Sequence, residues 1–168
     1  MSAASGDLFM GRAAIVSGDG KYRYLLHRVW DAGKPRALFV MLNPSTADAE
    51  IDDPTIRSCI RLSKSWGYGS FEVVNLYAFR ATDPRALARE PFPVGPDNSG
   101  AQDAAIERCD VVICAWGAHE IDTALARDLY DRATLHHPVC YCLGTTKSGA
   151  PKHPLYIATG APLVEYRA

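Results

Sequence analysis

Uninterrupted apolar runs set the frame of this chain, and polar helical segments fill the gaps between them. ALFVMLNPS, FEVVNLYAF (71–79), DVVICAWG (110–117) and PVCYCLGTT (138–146) each read as a strand. The first shows no polar alternation, as expected of a strand covered on both faces. Ahead of them, residues 13–30 (AAIVSGDGKYRYLLHRVW) have the pattern of a β-hairpin turning at Ser17-Gly18-Asp19-Gly20, with His27 and Arg28 facing solvent. After the first apolar strand, Asp52 or Asp53 caps a helix that takes Pro54 in its first turn. Ile56, Cys59, Ile60 and Ser63 share one face of that helix, and Gly67 or Gly69 ends it. Asp83-Pro84 opens a short helix, PFPVGPDNSG is a loop, and another helix runs from about Asp97 or Asn98 to Arg108. Ile121, Leu125, Leu129 and Arg132 mark the inner face of a last helix, the Arg132 stem packing along it. SGAPKHPLYIATGAP reads as an extended tail.

The β, α, β, α, β, α, β alternation predicts an α/β fold: a short central parallel sheet of about four strands flanked by helices in a three-layer sandwich, plus the N-terminal hairpin. With 168 residues, 48% of them hydrophobic, the chain suits a single domain over 1–168. Functional groups in such sheets gather where the strands end at their carboxyl edge. That edge carries Asn43-Pro44-Ser45, Asn75, Trp116-Gly117 and Gly144-Thr145.

A net charge of −1 argues against a tight, non-specific nucleic-acid binder, while leaving room for a local basic patch. MSAASGDLFMGRAAIV lacks the charged and apolar regions of an export signal. No apolar run approaches the roughly 20 residues of a membrane span. The five cysteines are therefore expected as reduced thiols in a cytoplasm, with no membrane partner.

At the strand ends, Asn43 admits two roles, a turn-former before proline or a holder of water or ligand. Asn75 interrupts a buried strand, where an amide without partners costs about 1–3 kcal/mol. A base edge, with adjacent donor and acceptor, is one partner that would satisfy it. His153, flanked by Pro151 and Pro154 within PKHPL, sits on a rigid loop, and a neutral imidazole can donate to a developing anion. Neither a G-x-x-x-x-G-K-[ST] loop nor a G-x-S-x-G elbow is present. Cys140 and Cys142 lack metal-ligand spacing and are expected to bury as small apolar groups, so no metal or other cofactor is expected.

Taken in order, these pieces resemble the uracil-DNA glycosylase superfamily. LFVMLNPS is similar to its first motif, FEVVNLYAF to the strand whose Asn reads the uracil edge, DVVICAWGAH to its strand ending in Trp-Gly, and KHPLYI to its His-Pro-Leu motif. The chain also resembles a bacterial family sharing the stretch Asn-Pro-Ser-Thr-Ala-Asp. The resemblance implies a monofunctional DNA-repair hydrolase that flips deoxyuridine out of DNA, cuts its N-glycosidic bond and leaves an abasic site. It makes Asn43 and His153 catalytic, places Pro44, Ser45, Asn75, Trp116 and Leu155 against the substrate, and implies uracil-containing DNA as partner to a monomer. Arg80, Lys147, Lys152 and Tyr156 would contact the DNA, with Leu155 or Tyr156 as the wedge that fills the gap. The chain departs from the superfamily pattern in lacking the Asp of the first motif, so that Asp48, Asp52 or Asp53 would substitute. It has Ser45 where a Tyr blocks the thymine methyl, and a shortened His-Pro-Leu loop. Two other functions fit the same residues: a nucleoside hydrolase or deoxyribosyltransferase acting on free nucleosides, and a non-catalytic module that binds a modified base.

Overall fold

The computed structural model describes residues 11–168; residues 1–10, part of the stretch read for an export signal, lie outside the described residues. Its strands are β1 (Gly11–Val16), β2 (Arg23–Val29), β3 (Arg36–Met41), β4 (Ser70–Asn75), β5 (Val111–Cys114), β6 (Cys140–Cys142) and β7 (Val164–Tyr166). They form one mixed seven-stranded sheet in the order β1-β2-β4-β3-β5-β6-β7. The central pairs β4–β3, β3–β5 and β5–β6 are parallel. Antiparallel β2 and β1 extend one edge, and antiparallel β7 closes the other. The expected parallel core is thus present inside a larger sheet. The hairpin is part of that sheet, because β2 hydrogen-bonds to β4 as well as to β1. Just beyond the expected tail, β7 has exposed residues at Val164 and Glu165, so no apolar run announces it.

Helices cover both faces. The first, α1 (Pro54–Ser65), starts where Asp53 accepts the Ile56 N–H at 2.9 Å and Pro54 supplies a preset φ. Its Ile56, Cys59 and Leu62 pack on Leu26, Phe39, Phe71 and Val73. On the opposite face, α2 (Asn98–Arg108) and α3 (Thr123–Thr134) set Ile106, Ala126 and Leu129 against Leu38, Val40, Val74 and Val112. Each fully buried Leu, Ile, Val or Phe of these layers contributes about 1.5–3 kcal/mol by leaving water. The inner face of α3 runs through Ala126, Leu129 and Ala133, with the expected Ile121 and Leu125 packed against the same core at its margin but Arg132 outside it. Arg132 instead bonds Gln102 on α2 at 2.7 Å and pairs with Asp103 and Asp128. A 3-10 turn occupies Pro84–Arg89.

The expectation that His27 and Arg28 face solvent is overturned: they are 1% and 3% exposed. Their strand is interior to the sheet, and the segment after β3 folds over Arg28, whose guanidinium bonds Asp52 and the Asp48 and Ile51 carbonyls.

Strand β2 carries one irregularity. Ile15 pairs with Leu25, but Val16 pairs with Arg23, which leaves Tyr24 as an extra residue. Such a bulge reverses the alternation of side chains beyond it. Leu25 packs in the α2–α3 layer, whereas Arg23 turns to the α1 face and reaches the Ala47 carbonyl.

Candidate functional site

A cavity of about 360 Å³ opens at the carboxyl edge of the sheet. The residues that end β3 (Met41, Leu42, Asn43, Ser45), those that open α1 (Asp53, Thr55, Ile56) and the corner after β5 (Trp116, Gly117) form its walls, with Arg23, Thr82 and His153. Two main-chain bonds fix the His153 loop. Gly117 donates to the Pro151 carbonyl at 2.8 Å, and Lys152 donates to the Gly144 carbonyl at 3.0 Å. Gly117 has φ +80°, a conformation that other residues adopt only with strain.

His153 is prepared to donate from one nitrogen. The Leu155 N–H points at its Nδ1 at 3.2 Å, which assigns the proton of the neutral ring to Nε2. Burial pushes its pKa below the ordinary histidine value, opposed by the field of Asp53. The imidazole is therefore uncharged at neutral pH.

Asp53 is the cavity's carboxylate. One oxygen caps α1; the other makes no protein hydrogen bond among the described residues. Of the three acids that the sequence offers, Asp48 accepts the Glu50 and Ile51 N–H groups on one oxygen and lies outside the cavity, and Asp52 is paired with Arg28 and Arg12.

Asn43 joins both of its candidate roles. Its Nδ2 donates to the Pro44 carbonyl at 3.1 Å and the Ala81 carbonyl at 2.8 Å, tying the corner to the next strand's loop. Two carbonyl partners fix which end of the amide is nitrogen, and Oδ1 keeps no protein partner among the described residues.

Asn75 does not itself line the cavity. It is 1% exposed, and neither Nδ2 nor Oδ1 has a hydrogen-bond partner among the described residues. It lies on the α1 face, in register with cavity-lining Met41, on the strand that sits between β2 and β3 in the sheet order. Its main chain is clamped from the far side. Asn98 donates to the Asn75 and Leu76 carbonyls at 3.0 and 3.2 Å, and Gln102 donates to the Asn75 carbonyl at 2.8 Å. These amides satisfy carbonyls left where β4 runs beyond its pairing with β2.

The remaining sequence candidates divide. Ser45 and Trp116 line the cavity, Trp116 packing edge-on against Tyr166 at 5.6 Å. Pro44 is buried in the turn and does not line it; its carbonyl accepts from Asn43 and from Ala81. Leu155 is half-buried, whereas Tyr156 is 93% exposed and holds φ +69°, a left-handed backbone uncommon for a tyrosine. Lys147 and Lys152 are exposed on the loops beside His153, and Arg80 is half-buried outside the cavity. Cys140 and Cys142 are buried in the core. Arg23, Thr55 and Thr82 are not legible as site residues in the sequence.

Fold and cavity together define an α/β protein with a mixed-charge pocket at the carboxyl edge of a parallel sheet core. The chain belongs to the family described as "Protein of unknown function (DUF1643)", which it matches over residues 23–155. No curated protein and no solved structure matches it.

Proposed function

We propose that the protein is a DNA glycosylase that hydrolyses the N-glycosidic bond of deoxyuridine. The observation that carries this reading is the convergence of a free carboxylate oxygen on Asp53 and a neutral, Nε2-protonated His153 on one cavity. Glycosidic hydrolysis needs both: a base to activate water on one side of the sugar and a donor to the departing group on the other.

In this mechanism the target nucleotide leaves the stack and its base enters the cavity, a step costing a few kcal/mol. Asn75, whose paired donor and acceptor lack protein partners among the described residues, lies buried beside cavity-lining Met41 and bonds the uracil edge once that side chain moves aside. Asn43 Oδ1 holds the water from which Asp53 takes a proton. The oxygen bonds to C1′ as the C1′–N1 bond breaks, and the electron pair of that bond leaves with the base. His153 Nε2–H stabilises the negative charge on the departing uracil. Solvent then protonates the uracil anion and removes the proton from Asp53. A donor of this kind is worth about 10²–10³ in rate. Tyr156, exposed on a left-handed backbone three residues beyond His153, fills the gap in the stack in preference to half-buried Leu155. Lys147, Lys152 and Arg80 hold phosphates.

The test is incubation with uracil-containing single- and double-stranded oligonucleotides, followed by alkaline cleavage of abasic sites. Strand cutting that falls steeply as salt rises supports the proposal. Salt-insensitive release of uracil from free deoxyuridine would replace it with a nucleoside hydrolase. Binding of the base without product would replace it with a non-catalytic module.

A further inference from the structure

The glycosylase mechanism leaves a buried charge in the cavity wall unused. Arg23 is 2% exposed and lines the cavity, yet forms no ion pair among the described residues. Its Nη1 donates to the Ala47 carbonyl at 2.7 Å, and its Nε is buried without a partner. Burial pulls its pKa down to about 10, against a weaker opposing effect of Asp53, so it stays charged at neutral pH. A buried guanidinium with an orphaned N–H is costly unless something accepts from it. The β2 bulge is what turns this side chain toward the cavity.

We propose that Arg23 is a specificity-determining residue that donates to the C4 carbonyl of the pyrimidine and so selects 4-keto over 4-amino bases. The proposal rests on the glycosylase reading. Asn75 alone cannot make this choice. Rotating its amide exchanges donor and acceptor, so it matches the N3–H and O4 of uracil as well as the N3 and N4–H₂ of cytosine. Arginine has five donors and no acceptor, so the atom facing it must accept. The strand of Asn75 runs between those of Arg23 and Met41; Met41 is level with Asn75, Arg23 bonds Ala78 three residues further along, and all three side chains lie on the α1 face. The charge pattern favours a carbonyl over a phosphate. Asp53 shares the cavity with Arg23, which repels a dianion but tolerates a neutral ring with a strongly polar oxygen. The same guanidinium, buried in the cavity wall, also steadies the base as it gathers charge.

The experiment compares kcat/KM for release of uracil and of cytosine from otherwise identical single-stranded oligonucleotides, in the unaltered protein and in Arg23→Gln and Arg23→Lys. Losing a charge-assisted donor narrows the uracil preference by about 10–100-fold in Arg23→Gln. Arg23→Lys, still donor-only, keeps the preference while slowing the reaction. If Arg23 only held the Ala47 loop, both substrates would slow alike and the ratio would not move, which overturns the proposal. Should Arg23→Gln not fold, the Arg23 Nε–H resonance of the unaltered protein gives the answer: it shifts with saturating uracil and not with cytosine, and its failure to shift with uracil overturns the assignment. An unaltered protein that releases no uracil refutes the glycosylase reading itself, whereas uracil release with an unchanged ratio refutes only the role of Arg23.

Discussion

Two arginines on the same strand, Arg23 and Arg28, are both almost fully buried and are treated in opposite ways. Arg28 is satisfied: Nε bonds Asp52 at 2.8 Å, Nη1 bonds the His27 carbonyl at 2.8 Å, and Nη2 reaches the Asp48 and Ile51 carbonyls at 2.6 and 3.3 Å. Arg23 has one main-chain carbonyl and an orphaned N–H. The neighbouring acids divide the same way, Asp52 paired with Arg28 and Arg12 while Asp53 keeps an oxygen free in the cavity. A buried charge with a complete set of partners fastens a loop. One left incomplete beside a cavity gives up stability that only a ligand restores. Residues 43–53 thus form a strap that Arg28 and Asp52 pin, with Arg23 beneath it and Asp53 at its end held out of any ion pair among the described residues.

The largest expected effect separates the two acids. Asp53→Asn should lower the rate of uracil release by about 10²–10⁴ and leave the melting temperature nearly unchanged, because Asn caps a helix as well as Asp does. Asp52→Asn should do the reverse, lowering stability while activity per folded molecule persists. Equal loss of activity in both variants would break the comparison. The arginines come next, read by urea denaturation. Arg28→Met strands Asp52 and several carbonyls and should cost about 3 kcal/mol. Arg23→Met removes an unsatisfied charge and should stay within about 1 kcal/mol of the unaltered protein.

The pH dependence sharpens the contrast further. Burial lowers the pKa of both His153 and His27. Unfolded histidines take up protons near ~6.5, and the folded ones only at lower pH. The unfolded chain therefore binds more protons in that window, and stability falls as pH drops from about 6.5 toward the folded values. Uracil release, which needs neutral His153, should persist below that point and decline only at lower pH. His27→Gln should flatten the stability slope without moving the rate profile. The smallest effect is at Tyr156. Tyr156→Gly relieves the left-handed backbone and should change stability by about 1 kcal/mol or less, while slowing excision from duplex more than from single strands.

Much of the fold and part of the site are legible in the sequence, and the rest is hidden for physical reasons. β3, β4 and β5 announce themselves because burial on both faces leaves continuous apolar runs. β7 has no such run, since two of its three residues are exposed. Asn43, Ser45 and Trp116 stand out because strand ends are where parallel sheets place chemistry, and His153 because prolines flank it on a rigid loop; all four line one cavity. Asp53 can be named only alongside Asp48 and Asp52; which acid stays free depends on how the strap folds. Arg23 looks like an ordinary polar position in Tyr-Arg-Tyr. The bulge that turns it inward arises from pairing between β1 and β2, which no local pattern encodes. His27 and Arg28 look exposed for the related reason that pairing on both edges of the hairpin's second arm leaves no local trace.

If the unpartnered groups beside the cavity await a pyrimidine, the side-chain amide of Asn75 reports it most directly. In a titration of nitrogen-15-labelled protein with free uracil, the Asn75 Nδ2 resonances should shift with saturation while those of Asn98, committed to main-chain carbonyls, stay in place. Unmoved Asn75 resonances at saturating uracil would contradict the account.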